Sequence, residues 1–378
     1  MKKINYLSFA IFFAVLTISV AAQNSKALFD KGLEEFKAGN FEAAIQSFQG
    51  YARSNPKDEA AQYNIGLCYY RLEKYDLAAT YLKQAINLKP DYLNAYVQLG
   101  NSYDYLSRYN EAVASYMKAI EIDPSNATAY FELGVAHARQ KNYTAALDSY
   151  KRAMSLNPND SVTPYRCGLA YRELKQPDDA ISMFRKSISL GTSNANVYFE
   201  LAKLIEDKKN YADAITNYKE AVRLDPGLMK AYFGLGNSYI ALQQYPAAID
   251  ALNIAIRLDP SDASNYLSMG NAYYNNKDYA GSIQHYKKAS ELSPKWETAF
   301  WYLGDSYLYT RQYSLASAAY QKVTTLNPKN SSAVYGLGLV YVYQNDLTRA
   351  REQKIKLDVL DPDQAAKLQA KIDAALPN

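Results

Sequence analysis

The chain is poor in the side chains that carry most enzymatic and metal chemistry. Its 378 residues include two cysteines, two histidines and two tryptophans. A hydrolase or transferase needs a nucleophile, a base and a charge stabiliser that converge, and no spacing here supplies them. His137 and His285 have no such companions; His137 is expected to be a packed, hydrogen-bonded imidazole and His285 to be exposed. No His/Cys cluster with metal-ligand spacing occurs, so neither a metal nor a cofactor is expected. Charge of one sign is lacking too, with 42 Lys and Arg against 38 Asp and Glu, a formal net charge of +4. That balance excludes a strongly basic nucleic-acid-binding domain. "GLGNSY" and "GLGLVY" lack the third glycine of a dinucleotide loop and sit in helical rather than strand-to-helix context.

Long apolar runs are also missing, apart from a stretch from about Leu7 to Val20 that follows Lys2 and Lys3 and leads into Val20-Ala21-Ala22. It is shorter than the ~20 residues of a spanning helix, and small residues stand where a signal peptidase reads. Residues 1–22 are therefore expected to be a cleaved signal peptide of bacterial type. A periplasmic or extracellular protein with no membrane span after cleavage follows as an expectation.

Abundance lies elsewhere: there are 37 tyrosines against 12 phenylalanines. Alignment of the chain with itself shows a period of 34 residues without insertion or deletion, and a fixed period of this length marks a repeat architecture. Glycine recurs at Gly32, Gly66, Gly100, Gly134, Gly168, Gly236, Gly270, Gly304 and Gly338, with Ala202 in the remaining place. Twelve residues on comes alanine, from Ala44 to Ala350, with Ser282 the exception. Proline closes the units from Pro56 to Pro362, with Thr192 the exception.

Each unit reads as two helices. Tyr96, Leu99, Gly100 and Tyr103 form one stripe at i, i+3, i+4 and i+7, and Ala112, Val113, Tyr116 and Ala119 form another. The small residues are expected to let the two backbones approach closely, with Tyr103 and Tyr116 filling the space beside them. Proline ends the second helix because the residue before it is driven out of helical geometry.

This pattern resembles the tetratricopeptide repeat family; one unit spells its signature as Phe300, Leu303, Gly304, Tyr307, Ala316, Tyr320 and Pro328. The resemblance implies an all-α, right-handed α-α superhelical solenoid of about ten 34-residue helix-turn-helix repeats over residues 25–362. First helices would line a concave groove. Residues 363–378 are expected to form a C-terminal capping helix through the stripe Ala365, Leu368, Ile372 and Ala375. Most tyrosines then fall at scaffold positions. Cys68 and Cys167 are three repeat layers apart at ~8–10 Å each, against the ~7 Å limit of a disulfide, so they are expected to be small core residues. The softest joint is expected at residues 175–200, where "SLGTSN" replaces the usual Asp-Pro and Pro177 replaces the turn tyrosine.

Ligands of the family lie along the groove. The lysine partners of its carboxylate clamp are missing beside Asn101, Asn237 and Asn271, so a chaperone-tail receptor is not expected. Arg139, Arg166 and Arg172 with Glu200, Lys203, Glu206 and Asp207 read as ion pairs between layers. The expected ligand surface is Asn237, Asn271, Tyr274, Asn275, Trp301, Asp305, Tyr309, Tyr335 and Tyr343, nearly uncharged and rich in aromatic contact area. The implied function is a non-enzymatic scaffold that binds an extended peptide or protein segment in bacterial envelope assembly or secretion. The alternative is a scaffold subunit of an exopolysaccharide or surface-export complex whose groove meets glycan.

Overall fold

A computed structural model describes residues 25–376 and contains helices and no strand among them. The expected signal segment lies outside the described residues. The chain divides into two compact units between Thr192 and Ser193. The division falls inside the stretch where Thr192 stands in place of proline.

The first unit holds α1 (25–37), α2 (Phe41–Ser54), α3 (Glu59–Arg71), α4 (Tyr75–Leu88), α5 (Leu93–Tyr105), α6 (Tyr109–Ile122), α7 (Ala127–Arg139), α8 (Tyr143–Leu156), α9 (Val162–Glu173) and α10 (Pro177–Ser189). The second holds α11 (Ala195–Asp207), α12 (Tyr211–Leu224), α13 (Met229–Ala241), α14 (Tyr245–Leu258), α15 (Ala263–Asn275), α16 (Tyr279–Leu292), α17 (Glu297–Tyr309), α18 (Tyr313–Leu326), α19 (Ser331–Tyr343), α20 (Leu347–Leu360) and α21 (Pro362–Ala374). Within each unit every helix packs on its sequence neighbours, and first helices of adjacent repeats also touch, as α5 does α7 and α17 does α19. The buried apolar residues form separate clusters strung along the chain, one over Ala78–Ala136 and another over Ala316–Ile372. That is the pattern of an α-α solenoid, in which each repeat is stabilised by its neighbours.

Local chemistry sets the repeat boundaries. Residues before the closing prolines, such as Asn55, Lys89, Asp123 and Asn327, have φ of −133°, −136°, −134° and −141°, outside the helical region. The turn inside each hairpin carries one left-handed residue, from Gly39 (φ 80°) through Glu73, Ser107 and Lys141 to Lys277 (φ 65°), Arg311 and Asn345. At Glu73 the backbone N–H groups of Glu73 and Lys74 donate to the carbonyls of Tyr70 and Tyr69, at 3.0 and 2.9 Å. This is the paired closure of a Schellman C-terminus.

The conserved spacing of glycine acts through a side chain rather than through backbone contact alone. A Cβ on Gly100 would lie 2.5 Å from the ring of Tyr116, sixteen residues on. The same relation joins Gly32 to Phe48, Gly134 to Tyr150, Gly236 to Leu252 and Gly270 to Tyr286. Outside the repeat with Ala202 and the last hairpin, the large residue of the second helix therefore lies across the glycine of its own first helix, and Tyr116, Tyr150, Tyr218, Tyr286 and Tyr320 are fully buried. Ala202 occupies one glycine place, and there Tyr218 lies against Gly234 of the next repeat, whose added Cβ would be 2.4 Å from it.

Three further expectations meet the structure. Cys68 and Cys167 are free and buried. His137 is half-buried with Nδ1 3.4 Å from Gln140 Oε1. His285 is not exposed: it is half-buried and stacked on Tyr273 with centroids 5.1 Å apart. The preceding turn of α15 presents a tyrosine to it, and burial lowers its pKa.

Candidate functional site

First helices of the second unit carry most of the candidate residues, because each repeat's first helix turns one flank to its hairpin partner and the other outward. Trp301, Asp305 and Tyr309 fall at i, i+4 and i+8 of α17, and Tyr335 falls on α19. These four line one cavity of about 330 Å³ together with Leu308, Ser332, Gly336 and Leu339. Gly336 removes a side chain where other repeats carry Glu132, Arg166 or Tyr302, and Tyr320 reaches to within 2.5 Å of where its Cβ would be.

The tail helix closes this cavity. Gln364 and Lys367 of α21 contribute to its lining, and the sequence reading did not include them. Ala365, Leu368 and Ile372, on the adjoining stripe of α21, are buried against the last hairpin. The Ala-Leu-Ile stripe that identified a capping helix thus also turns Gln364 and Lys367 toward the site.

Asp305 is the cavity's carboxylate, and two phenols hold it. Tyr274 Oη donates to Oδ2 at 3.0 Å, and Tyr320 Oη donates to Oδ1. Burial pushes the Asp305 pKa up, while the two hydroxyls oppose that shift. Tyr274 is thereby joined to the cavity without lining it; its ring also meets that of Tyr309, with centroids 6.1 Å apart. Tyr309 stacks on Tyr279 at 4.3 Å and 10° and remains 57% exposed, so one aromatic face is held rigid and the rest is open.

The asparagines divide by what stands fifteen residues further on. Asn101 and Asn271 accept hydrogen bonds from Tyr116 and Tyr286 at 2.7 and 2.8 Å, so both serve the hairpin core. Asn237 faces a repeat whose second helix carries Leu252 in place of a phenol, and it lines a second cavity of about 380 Å³ with Phe199, Lys203, Glu206 and Phe233. Asn275 and Tyr343 are exposed at the ends of α15 and α19, and Tyr343 stacks on Tyr313 at 5.7 Å. The structure therefore brings Trp301, Asp305, Tyr309, Tyr335 and, through Asp305, Tyr274 together. Asn237, Asn271, Asn275 and Tyr343 do not line that cavity.

Within each unit several of these charged residues have partners of their own. Arg139 pairs with Asp104 of the preceding repeat at 3.2 Å, and Arg172 with its neighbour Glu173 at 2.7 Å. Glu206 accepts from Tyr218 Oη at 2.6 Å and Ser238 Oγ at 3.1 Å, a role in the hairpin core. Among the described residues no group of three or more His, Cys, Asp or Glu side chains could hold a metal, and no helix is long and apolar enough to cross a membrane.

Comparison with known proteins agrees with the architecture. Family models described as "TPR repeat" match residues 105–141, 206–243, 236–277 and 270–310. Those described as "Tetratricopeptide repeat" match 29–92, 303–365, 127–160 and 165–190. No curated protein matches the chain. Among solved structures, the C-terminal part of a TPR repeat-containing protein from Cytophaga hutchinsonii aligns with a TM-score of 0.54 at 20% identity, over 63% of this chain and 98% of that one. The MamA protein aligns with a TM-score of 0.43 at 27% identity, over 45% of this chain and 92% of that one. YrrB, described as a TPR protein with an unusual peptide-binding site, aligns with a TM-score of 0.44 at 22% identity, over 50% and 96%.

Proposed function

Because the chain belongs to the tetratricopeptide repeat family, we propose that it is a non-enzymatic scaffold whose second unit binds an extended segment of another protein along its first helices. The observation that carries this reading is the cavity formed by Trp301, Tyr309 and Tyr335 between α17, α19 and α21. It offers large aromatic contact area, with Tyr309 held by stacking on Tyr279 and Trp301 by an edge contact with Tyr302, and such area concentrates binding energy in a few anchors. Asn237 in the cavity of about 380 Å³ supplies an amide that can pair with a peptide backbone further along the same unit. The stretch from Lys2 to Ala22 favours an exported protein and a partner in the cell envelope.

The test is capture of partners on the intact protein, followed by titration of the captured segment with a Trp301→Ala/Tyr335→Ala variant. Binding should weaken by more than ~2 kcal/mol while the far-ultraviolet dichroism stays unchanged. Unaltered affinity in the double variant would overturn the assignment of the site.

A further inference from the structure

The cavity of about 380 Å³ and the cavity of about 330 Å³ are one arrangement built twice, three repeats apart. Each is walled by half-buried aromatic residues of two successive first helices, Phe199 and Phe233 in one, Trp301 and Tyr335 in the other. Beside the second wall stands a glycine, Gly234 or Gly336, at a place where other repeats carry side chains such as Gln98, Glu132 or Tyr302. A Cβ there would lie 2.4 Å from Tyr218 or 2.5 Å from Tyr320, the core tyrosine of the preceding repeat. That tyrosine is buried, and its hydroxyl is engaged, by Glu206 in the first case and Asp305 in the second. A ligand therefore meets the aromatic walls, which suit a large apolar side chain. Gln364 of α21 closes the second cavity at the place where Asp262, beside α15, closes the first.

The two cavities also share a charge pattern. Their carboxylates are engaged: Glu206 accepts from Tyr218 and Ser238, Asp262 from the Ser264 N–H at 2.8 Å, and Asp305 from two phenols. Their lysines are exposed, Lys203 and Lys230 on the first cavity and Lys367 on the second, and none makes an ion pair among the described residues. First helices one repeat apart are spaced by ~8–10 Å, so three repeats set the cavities ~24–30 Å apart. Extended chain at ~3.3 Å per residue covers that in about seven to nine residues, and side chains an even number apart share one face. We propose that the two cavities take one ligand together, an extended acidic segment of a partner protein with two large apolar side chains about eight residues apart. One side chain enters each cavity, and neighbouring carboxylates face Lys203, Lys230 and Lys367. Joining two modest contacts on one chain makes the second intramolecular and raises affinity without any new contact. That a single segment spans both cavities rests on the scaffold reading above; the duplication of the cavity does not.

The full chain is titrated with three blocked, fluorescently labelled peptides of equal length and charge, built from Asp, Gly and Ser. One carries two phenylalanines eight residues apart, one carries them three apart, and one carries a single phenylalanine. The first should bind at least about tenfold tighter than the other two, because the ~10 Å between the closer pair cannot reach from one cavity to the other. Phe233→Ala in the first cavity and Tyr335→Ala in the second should each bring it down to the single-phenylalanine level. Lys203→Glu changes only an exposed side chain; it should weaken the first peptide about two- to fivefold and leave thermal unfolding unaltered. The proposal is overturned if the two spacings bind alike, if only one of the two ring variants matters, if Lys203→Glu changes nothing, if lysine in place of aspartate in the peptide binds as well, or if none of the three binds. A captured partner that depends on Trp301 and Tyr335 but not on Phe233 would keep the groove reading and remove the pairing of cavities. The expected peptide results, with no effect of Trp301→Ala/Tyr335→Ala on a captured partner, would do the opposite.

Discussion

Leu368 of α21 stands over Gly338 of α19, with its Cδ2 2.4 Å from where a Cβ on that glycine would be. In earlier repeats this space belongs to a residue of the repeat's own second helix, sixteen places after the glycine, such as Tyr286 for Gly270. In the last hairpin that place is Lys354, whose Nζ instead pairs with Asp358 at 2.9 Å. The tail helix therefore supplies the missing core residue as well as a cover. Leu368→Ala should cost about 2–5 kcal/mol, the range for a fully buried leucine, and Lys354→Ala less than about 1 kcal/mol, as for a partly exposed ion pair. Denaturant unfolding of the two variants checks the contrast, and equal costs would refute it.

The glycine-to-ring relation predicts a coupling. A Cβ on Gly270 would lie 2.5 Å from Tyr286, and one on Gly236 would lie 2.6 Å from Leu252. Gly270→Leu and Gly236→Leu should each destabilise by about 1–3 kcal/mol through overpacking. Gly270→Ala should do so in the native background and lose most of its effect once Tyr286→Ala has emptied the space, with a coupling of about 0.5–3 kcal/mol in a double-mutant cycle. Simple additivity would mean that the glycine is kept for another reason.

The same relation explains what could be read from the amino acids alone. Helix pairing, turn positions and the tail stripe repeat every 34 residues, and each depends on residues close in sequence, so their pattern is visible without coordinates. Local spacing also separates the asparagines, in hindsight: Asn271 and Asp305 each precede by fifteen residues a tyrosine that binds them, whereas Asn237 precedes Leu252. Gln364 and Lys367 were not legible as site residues. They reach the cavity because α21 docks in the place of a next repeat, and no period in the chain encodes that. The burial of His285 is hidden from the sequence for a related reason, since its cover, Tyr273, comes from the facing helix.

The left-handed turn residues carry removable strain. Lys277 has φ 65° with its N–H donating to the Tyr274 carbonyl at 2.9 Å, and in the first hairpin the equivalent residue is Gly39. A non-glycine residue in this region costs roughly 1–2 kcal/mol, offset by the greater unfolded-state freedom of glycine, about 0.4–1 kcal/mol. Lys277→Gly should raise stability by a net few tenths to about 1 kcal/mol, and Gly39→Ala should lower it. Thermal unfolding with the opposite order would show that the turns are fixed by other contacts.

Burial pushes the thiols of Cys68 and Cys167 up to about 12. The thiolate is the reactive species, so at pH 8 only about one thiol in ten thousand is ionised at that value. Neither cysteine should react with a thiol-specific chromogen in the folded protein at pH 8, and both should react at once in denaturant. Rapid labelling of either in the native state would place it at a surface.

Asp305 supplies a pH dependence whose sign can be worked out. Burial raises its folded pKa above the unfolded value of about 3.9, so between those two values the folded state binds more protons than the unfolded state. Stability from this group is then greatest below the unfolded value and is lost as pH rises toward and through the folded one. Asp305→Asn cannot titrate, and its Oδ1 still accepts a phenol. Relative to the native protein the variant should therefore gain ground as pH is raised from about 4 through the folded pKa of Asp305 and hold level above it, whatever offset the lost carboxylate oxygen introduces at a single pH. Urea unfolding of both proteins across that range measures the difference directly. A constant gap would mean that the hydroxyls of Tyr274 and Tyr320 fully offset burial; a gap that moves the other way would mean that they outweigh it and that Asp305 is held as a stable anion.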